Sequence, residues 1–203
     1  VTSAITVTAV NDTPVGTAGG GLSYTENGAA AAIDTTITLT DADDTQIAGA
    51  TATITSVVTG DVLGFTDQNG ISGIYNSSTG VLTLTGIATL SQYETALRSV
   101  TYRSTSDDPT VNNTRTSRTV TWVVTDANSD AVGAQSSAGV TSTIIVTAVN
   151  DTPVSTAGGS LAYTENGAAT AIDTTITLTD ADDAALASAT VTITSVVAGD
   201  LLA

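Results

Sequence analysis

Apolar and polar residues alternate along much of this chain. Thr2–Val10 places Ile5, Val7 and Ala9 on one side and Thr6 and Thr8 on the other. A period of two is that of a half-buried strand. The same pattern predicts strands over Leu22–Thr25, Ala32–Thr40, Ala50–Val58, Val81–Thr85, Ser99–Arg103, Thr119–Thr125 and Val140–Val149. In Ala32–Thr40 the inward set is Ile33, Ile37 and Leu39. In Thr119–Thr125 it is Val120, Trp122 and Val124. One segment has a different period. Thr89-Leu90-Ser91-Gln92 reads as a capping box, and Leu90, Tyr93 and Leu97 then fall at helical spacing. A short helix is therefore expected over Thr89–Ser99. Seven or so short strands separated by turns predict an all-β fold, an antiparallel β-sandwich with one short helix per repeat.

The pattern also repeats. VTAVNDTPV occurs at Val7–Val15 and at Val146–Val154, YTENGAA at Tyr24 and Tyr163, and AIDTTITLTDADD at Ala32 and Ala171. Each pair is offset by 139 (146 − 7). Residues 1–64 align with 140–203 without a gap, at 50 identities in 64 positions. Asn11-Asp12-Thr13-Pro14 stops the first strand, because Pro cannot donate to a ladder and Asn and Asp favour turns. The phase that follows makes 1–10 the last strand of a preceding repeat. Residues 11–149 are then one complete repeat, and 150–203 the N-terminal part of the next. That last part lacks its later strands and is expected to fold poorly by itself.

Composition narrows the function. The 203 residues include 20 acids and 4 bases, a net charge of −16, and no His, Cys or Met. All four bases are Arg, so Lys is absent, and 17 of the acids are Asp. Without Cys there is no disulfide or thiolate site; without His there is no Ser–His–Asp triad. So acidic a chain is a poor partner for nucleic acid or anionic lipid. Aromatics are 3% of the chain and Thr numbers 43, so the core is aliphatic and the surface hydroxyl-rich. No run is apolar for long enough to span a membrane. A two-carboxylate glycosidase needs a cleft that usually stacks sugars on aromatics, and this chain has one Trp and one Phe. The expectation is no enzyme.

The acids gather where strands end. Asp41-Ala42-Asp43-Asp44 follows a strand, Asn11-Asp12 marks the boundary, and Asp126 follows the Trp122 strand. Loops gather at the ends of a sandwich, so Asp41, Asp43 and Asp126 are expected to converge beside Asn11-Asp12. Packed carboxylate and amide oxygens suit Ca²⁺, which takes six to eight oxygen ligands. The competing reading is a set of solvated turns. Asp126-x-Asn128-x-Asp130 does not make an EF-hand loop, because the required Gly is Ala131 and the twelfth position is Ser137.

The order of these motifs resembles cadherin repeats. It is more closely similar to the cadherin-like tandem repeats of very large bacterial surface adhesins, on the ending VTAVNDTPV and the segment GVLTLTGIATLSQYETALRSVTY. The resemblance implies Ca²⁺ at the junctions between repeats. Asn11, Asp12, Asp41, Asp43 and Asp126 would serve the first junction. Glu26, Asn150, Asp151, Asp180 and Asp182 would serve the second. The family's mid-domain Asp-Arg-Glu is missing at Ala88–Glu94, and Ala9 and Thr13 depart from its linker, which implies one or two ions per junction rather than three. The implied function is a structural spacer in an extracellular, cell-surface stalk, with neighbouring repeats of the same chain as partners. The alternative is an adhesion module that contacts a cell-surface polysaccharide or protein.

Other features have plainer readings. The four Arg residues lie between Arg98 and Arg118, either a patch for an acidic polysaccharide or local partners of Glu94, Asp107 and Asp108. Trp122 alternates with Val120 and Val124, which favours the core over a sugar platform. Asn76-Ser77-Ser78 and Asn112-Asn113-Thr114 match N-glycosylation sequons, which arise by chance in so hydroxyl-rich a chain.

Overall fold

The computed structural model describes residues 2–129 and 131–202. It is mostly β, with several sheets and one short helix. It divides into two units, Val1–Val149 and Asn150–Ala203.

In the first unit the strands are β1 (Val15–Thr17), β2 (Gly21–Thr25), β3 (Ala31–Ala32), β4 (Thr38–Thr40), β5 (Gln46–Ile54) and β6 (Asp61–Gly64). Then come β7 (Ser72–Asn76), β8 (Val81–Thr89), helix α1 (Leu90–Arg98), β9 (Thr101–Ser104), β10 (Ser117–Asp126) and β11 (Val140–Thr147). The largest sheet has six strands in the order β2-β11-β10-β5-β8-β7. A three-stranded sheet runs β3-β9-β6, and β1 pairs with β4. All pairings are antiparallel except β2 with β11, which is parallel, Leu22 facing Ile144.

One core joins these elements. The large sheet contributes Ile54, Leu82, Leu84, Val120, Trp122, Val124, Ile144 and Val146, all buried. Leu63 and Tyr102 come from the three-stranded sheet; Tyr93, Ala96 and Leu97 come from α1. Tyr24 and Tyr102 meet edge to face, their centroids 5.1 Å apart. The alternation read from sequence is thus the alternation of burial, as in the eBeBiBiBiB pattern of β10. Trp122 is core, and its Nε1 donates to Ser142 Oγ at 2.9 Å.

The helix forms as its signals predict. Gln92 N donates to Thr89 Oγ1, and Thr89 N donates back to Gln92 Oε1 at 2.9 Å. Ser99, placed in a strand by the alternation, is instead the helix C-cap, and β9 starts at Thr101.

Several boundaries differ from expectation for physical reasons. Ala32–Thr40 is not one strand. The Asp34 carboxylate accepts from Thr36 N and Thr36 Oγ1, which turns the chain between β3 and β4. Ile33 and Ile37 are buried beside this turn rather than along a ladder. The strand placed over Ala50–Val58 is Gln46–Ile54, because Gln46 and Ile47 find partners at Thr89 and Ala88. The short strands β1, β6 and β7 were not legible in the alternation.

Residues 2–10 carry no strand, and Ile5, Val7 and Val10 are exposed. The matching segment 139 residues later, which differs at two positions and contains most of β11, is a strand between β10 and β2. The segment needs such neighbours, and among the described residues nothing ladders to 2–10.

In the second unit, β12 (Val154–Thr156) pairs with β13 (Thr177–Thr179), repeating β1 with β4. The copies of β2 and β5, residues 160–164 and 185–193, are not strands. In the first unit the partners of β2 and β5 are β8, β10 and β11.

Candidate metal centre

The site in the first unit is built on three segments. Asn11 closes the segment that precedes β1, Asp41–Asp44 is the turn between β4 and β5, and Asp126 ends β10. The turn is locally encoded. The Asp41 carboxylate accepts from Asp43 N at 3.2 Å and Asp44 N at 3.0 Å, an arrangement that short Asp side chains favour.

Asp126 is fully buried and is the hub. Its Oδ2 accepts from Asn11 Nδ2 at 3.0 Å and Gln135 N at 2.9 Å; its Oδ1 accepts from Asn128 N at 3.1 Å. Asn11 is also tied by Nδ2 to Gly133 O at 2.6 Å, and its own carbonyl accepts from Gln135 Nε2 at 3.0 Å. Asp12 N donates to Asp43 Oδ2 at 3.1 Å. The five residues expected at the first junction fall into two hydrogen-bonded groups, Asn11 with Asp126 and Asp12 with Asp43 and Asp41, which meet only through the adjacent positions Asn11 and Asp12. Asp12 and Asp43 are exposed, and Asn11 and Asp126 are buried.

Asp44 belongs to the second of these groups, through Asp41, and was missed in the sequence. It is buried, and its Oδ1 accepts from Ser129 N at 2.9 Å and from the Ser129 hydroxyl. Its presence in the Asp41–Asp44 run was the available signal. Asp130, the third residue of the triplet beginning at Asp126, lies outside the described residues.

The two groups have acceptors without donors. Asn11 Oδ1, Asp41 Oδ2 and Asp44 Oδ2 are buried and have no hydrogen-bond partner among the described residues. Buried polar atoms are normally satisfied, and a buried carboxylate oxygen without a donor is costly. Burial, with the charge of Asp43 adding to it, pushes the Asp41 carboxyl above its ordinary range. A group that resists ionising for lack of a positive neighbour is one that a cation would relieve. The donor set is entirely oxygen, from carboxylates and an amide, which fits Ca²⁺ rather than a thiolate- or imidazole-seeking metal.

The second unit repeats part of this. Asp180, Asp182 and Asp183 bring carboxylate oxygens within 4.8 Å of one another, and this surface triad could hold a metal. Asp180 Oδ1 accepts from Asp182 N at 3.3 Å and Asp183 N at 3.2 Å; Asp151 N donates to Asp182 Oδ1 at 3.3 Å. Asp151 Oδ2 is buried and has no hydrogen-bond partner among the described residues. Asn150 is exposed, with Nδ2 donating to the Asp151 carbonyl. Desolvation and the neighbouring Asp180 carboxylate raise Asp182 above the ordinary range. Glu26 lies in the first unit, buried, where Oε2 accepts from Val149 N at 2.8 Å.

The Arg cluster separates into different roles. Arg98 pairs with Glu94 at 3.4 Å and donates from Nε to Ile37 O. Arg118 does not pair with Asp107 or Asp108. It is buried against Asp61 at 2.7 Å, both side chains fully inaccessible, and also donates to the carbonyls of Pro109 and Arg115. Tyr102 donates to the other oxygen of Asp61 at 2.6 Å. Arg118 is thus interior and is not part of a surface patch.

Comparisons with known proteins add one relative. No family model matches, and no solved structure matches. The chain is 40% identical over 91 residues to halomucin of Haloquadratum walsbyi, a match that takes in 41% of this chain and 1% of that protein.

Proposed function

We propose that this chain is a segment of a very long extracellular surface protein and that its repeats are structural spacers. Each repeat would be a cadherin-like β-sandwich, joined end to end with the next and stiffened by Ca²⁺ where one repeat follows another. The observation that carries the reading is that Asn11, Asp41 and Asp44 each keep a buried oxygen without a hydrogen-bond partner among the described residues. Those residues would hold the ion, with Asp12 and Asp43 on the exposed side. Because Asn11-Asp12 directly follows the 2–10 segment, an ion there would restrain the chain where it enters the repeat. Inter-domain joints are otherwise flexible by default.

Two further observations support the spacer. The 139-residue period is repeated at 50 identities in 64 positions, as a stalk built from copies of one unit requires. The partial similarity to halomucin suits a segment of a large surface protein, and no described helix is long and apolar enough to cross a membrane. Non-enzymatic function follows from the same reading, and an adhesion module for a surface polysaccharide or protein is the alternative. X-ray scattering on several complete repeats tests the spacer. An extended, calcium-dependent profile that becomes more flexible with chelator is expected. Identical profiles with and without chelator would contradict it.

A further inference from the structure

We propose that Asn76 is an acceptor for an N-linked glycan, a role separate from the metal-binding reading. Four Asn-x-Ser/Thr sequences occur: Asn11-Asp12-Thr13, Asn76-Ser77-Ser78, Asn112-Asn113-Thr114 and Asn150-Asp151-Thr152. The structure separates them. Asn11 is buried, and its amide nitrogen is committed to Asp126 and Gly133. Asn150 Nδ2 donates to the adjacent Asp151 carbonyl. Asn112 sits in the left-handed region, φ 52°, and the Thr114 hydroxyl is committed to Val111 O at 2.6 Å.

Asn76 differs in each respect. It is exposed at the β7–β8 turn, as are Ser77 and Ser78. Its Oδ1 accepts from Ser78 N at 3.0 Å and Thr79 N at 3.3 Å. These bonds hold the carboxamide by its oxygen and leave Nδ2 with no hydrogen bond among the described residues. They also set the Ser78 end of the sequon beside the amide.

The place suits a glycan. β7 is the edge of the six-stranded sheet, and Ile74, two residues before Asn76 and on the same face, is 78% exposed. Open edges with apolar side chains invite strand pairing between molecules, and proteins often blunt them with Lys. This chain has no Lys. A bulky, hydrated group at Asn76 would guard that edge.

The chemistry requires a lipid-phosphate-linked oligosaccharide and its transferase. Asn76 Nδ2 attacks the anomeric carbon, an N–C bond forms, and the C–O bond to phosphate breaks. One amide proton passes to a base of the transferase, and the lipid phosphate leaves. The test is fragment-ion mass spectrometry of the parent protein taken from its own cells, with an Asn76→Gln variant expressed in the same cells. Peptides spanning residues 76–78 should carry a sugar mass that fragments to Asn76 and disappears in the variant. Unmodified Asn76 in the native protein, whether or not Asn112 is modified, would overturn the proposal.

Discussion

Residues 11–64 and 150–203 are two copies of nearly one sequence, and they present different surfaces. Tyr24 is buried and Tyr163 is 58% exposed; Ile37 and Leu39 are buried, while Ile176 and Leu178 are each 52% exposed. What survives in both copies is local. β1 pairs with β4 as β12 pairs with β13. Asp34 accepts from Gly19, Gly20 and Thr36, as Asp173 does from Gly158, Gly159 and Thr175. Tyr24 and Tyr163 each donate to the carbonyl four residues on. What differs depends on residues 81–147, which supply β8, β10 and β11. Turns are written into a few adjacent residues, whereas strands such as β2 and β5 become strands only when distant neighbours hydrogen-bond to them.

The largest test supplies the missing neighbours. Appending a copy of residues 65–149 after Ala203 should convert the second unit into a cooperatively folding one. Hydrogen exchange would then show new protection over 160–164 and 185–193. Continued fast exchange there would mean that the 12 substitutions between copies, not the absent partners, set the difference.

Next in size is a contact that only the first unit has. Arg118→Ala leaves Asp61 charged and buried without its partner, at a cost of about 3–5 kcal/mol in urea unfolding. A cost below about 1 kcal/mol would show that water reaches Asp61. Replacing both residues by apolar ones of similar volume should recover most of the loss.

The equivalent turns allow a matched pair of substitutions. Asp34→Ala removes acceptors for Gly19, Gly20, Thr36 and Ser142 in a buried setting, and about 1–3 kcal/mol should be lost. Asp173→Ala, at the half-buried equivalent in the second unit, should leave the main unfolding transition unchanged. The pH dependence has a definite sign. Burial opposes the charge of Asp34, but hydrogen bonds from Thr36, Ser142 and Gly19 outweigh it and hold the carboxyl well below its ordinary value of 3.8. Its contribution is therefore fully present above that value and is lost as pH falls beneath it. Asp34→Ala should flatten the acid limb of the stability curve. The smallest effect is Thr89→Ala, which removes the helix cap and should cost about 1 kcal/mol by the same assay.

The helix, the core face of β10 and the burial of Trp122 were legible because each rests on a short-range period. β6 and β7 were not, since Asp61, Gly64, Gly73 and Asn76 are poor strand formers held in place by pairing with β9 and β8. The alternation in Ala32–Thr40 correctly marked buried residues but hid the Asp34 turn. In the candidate site, Asn11, Asp41 and Asp126 followed from their positions at strand ends. Asp44 did not, because its hydrogen-bond partner Ser129 is 85 residues away. The interior position of Arg118 was hidden for the same reason, its partner Asp61 being 57 residues distant.

Calcium held by the buried oxygens of Asn11, Asp41 and Asp44 is what stiffens the proposed spacer. Isothermal titration of Ca²⁺ into the chelator-treated chain, repeated with Asp44→Asn and with Asp41→Ala/Asp43→Ala, tests it directly. Saturable binding that raises the melting temperature of the first unit is expected, and either variant should weaken it by more than its own shift in the calcium-free melting temperature accounts for. No heat of binding and an unchanged melting temperature at millimolar Ca²⁺ would contradict it.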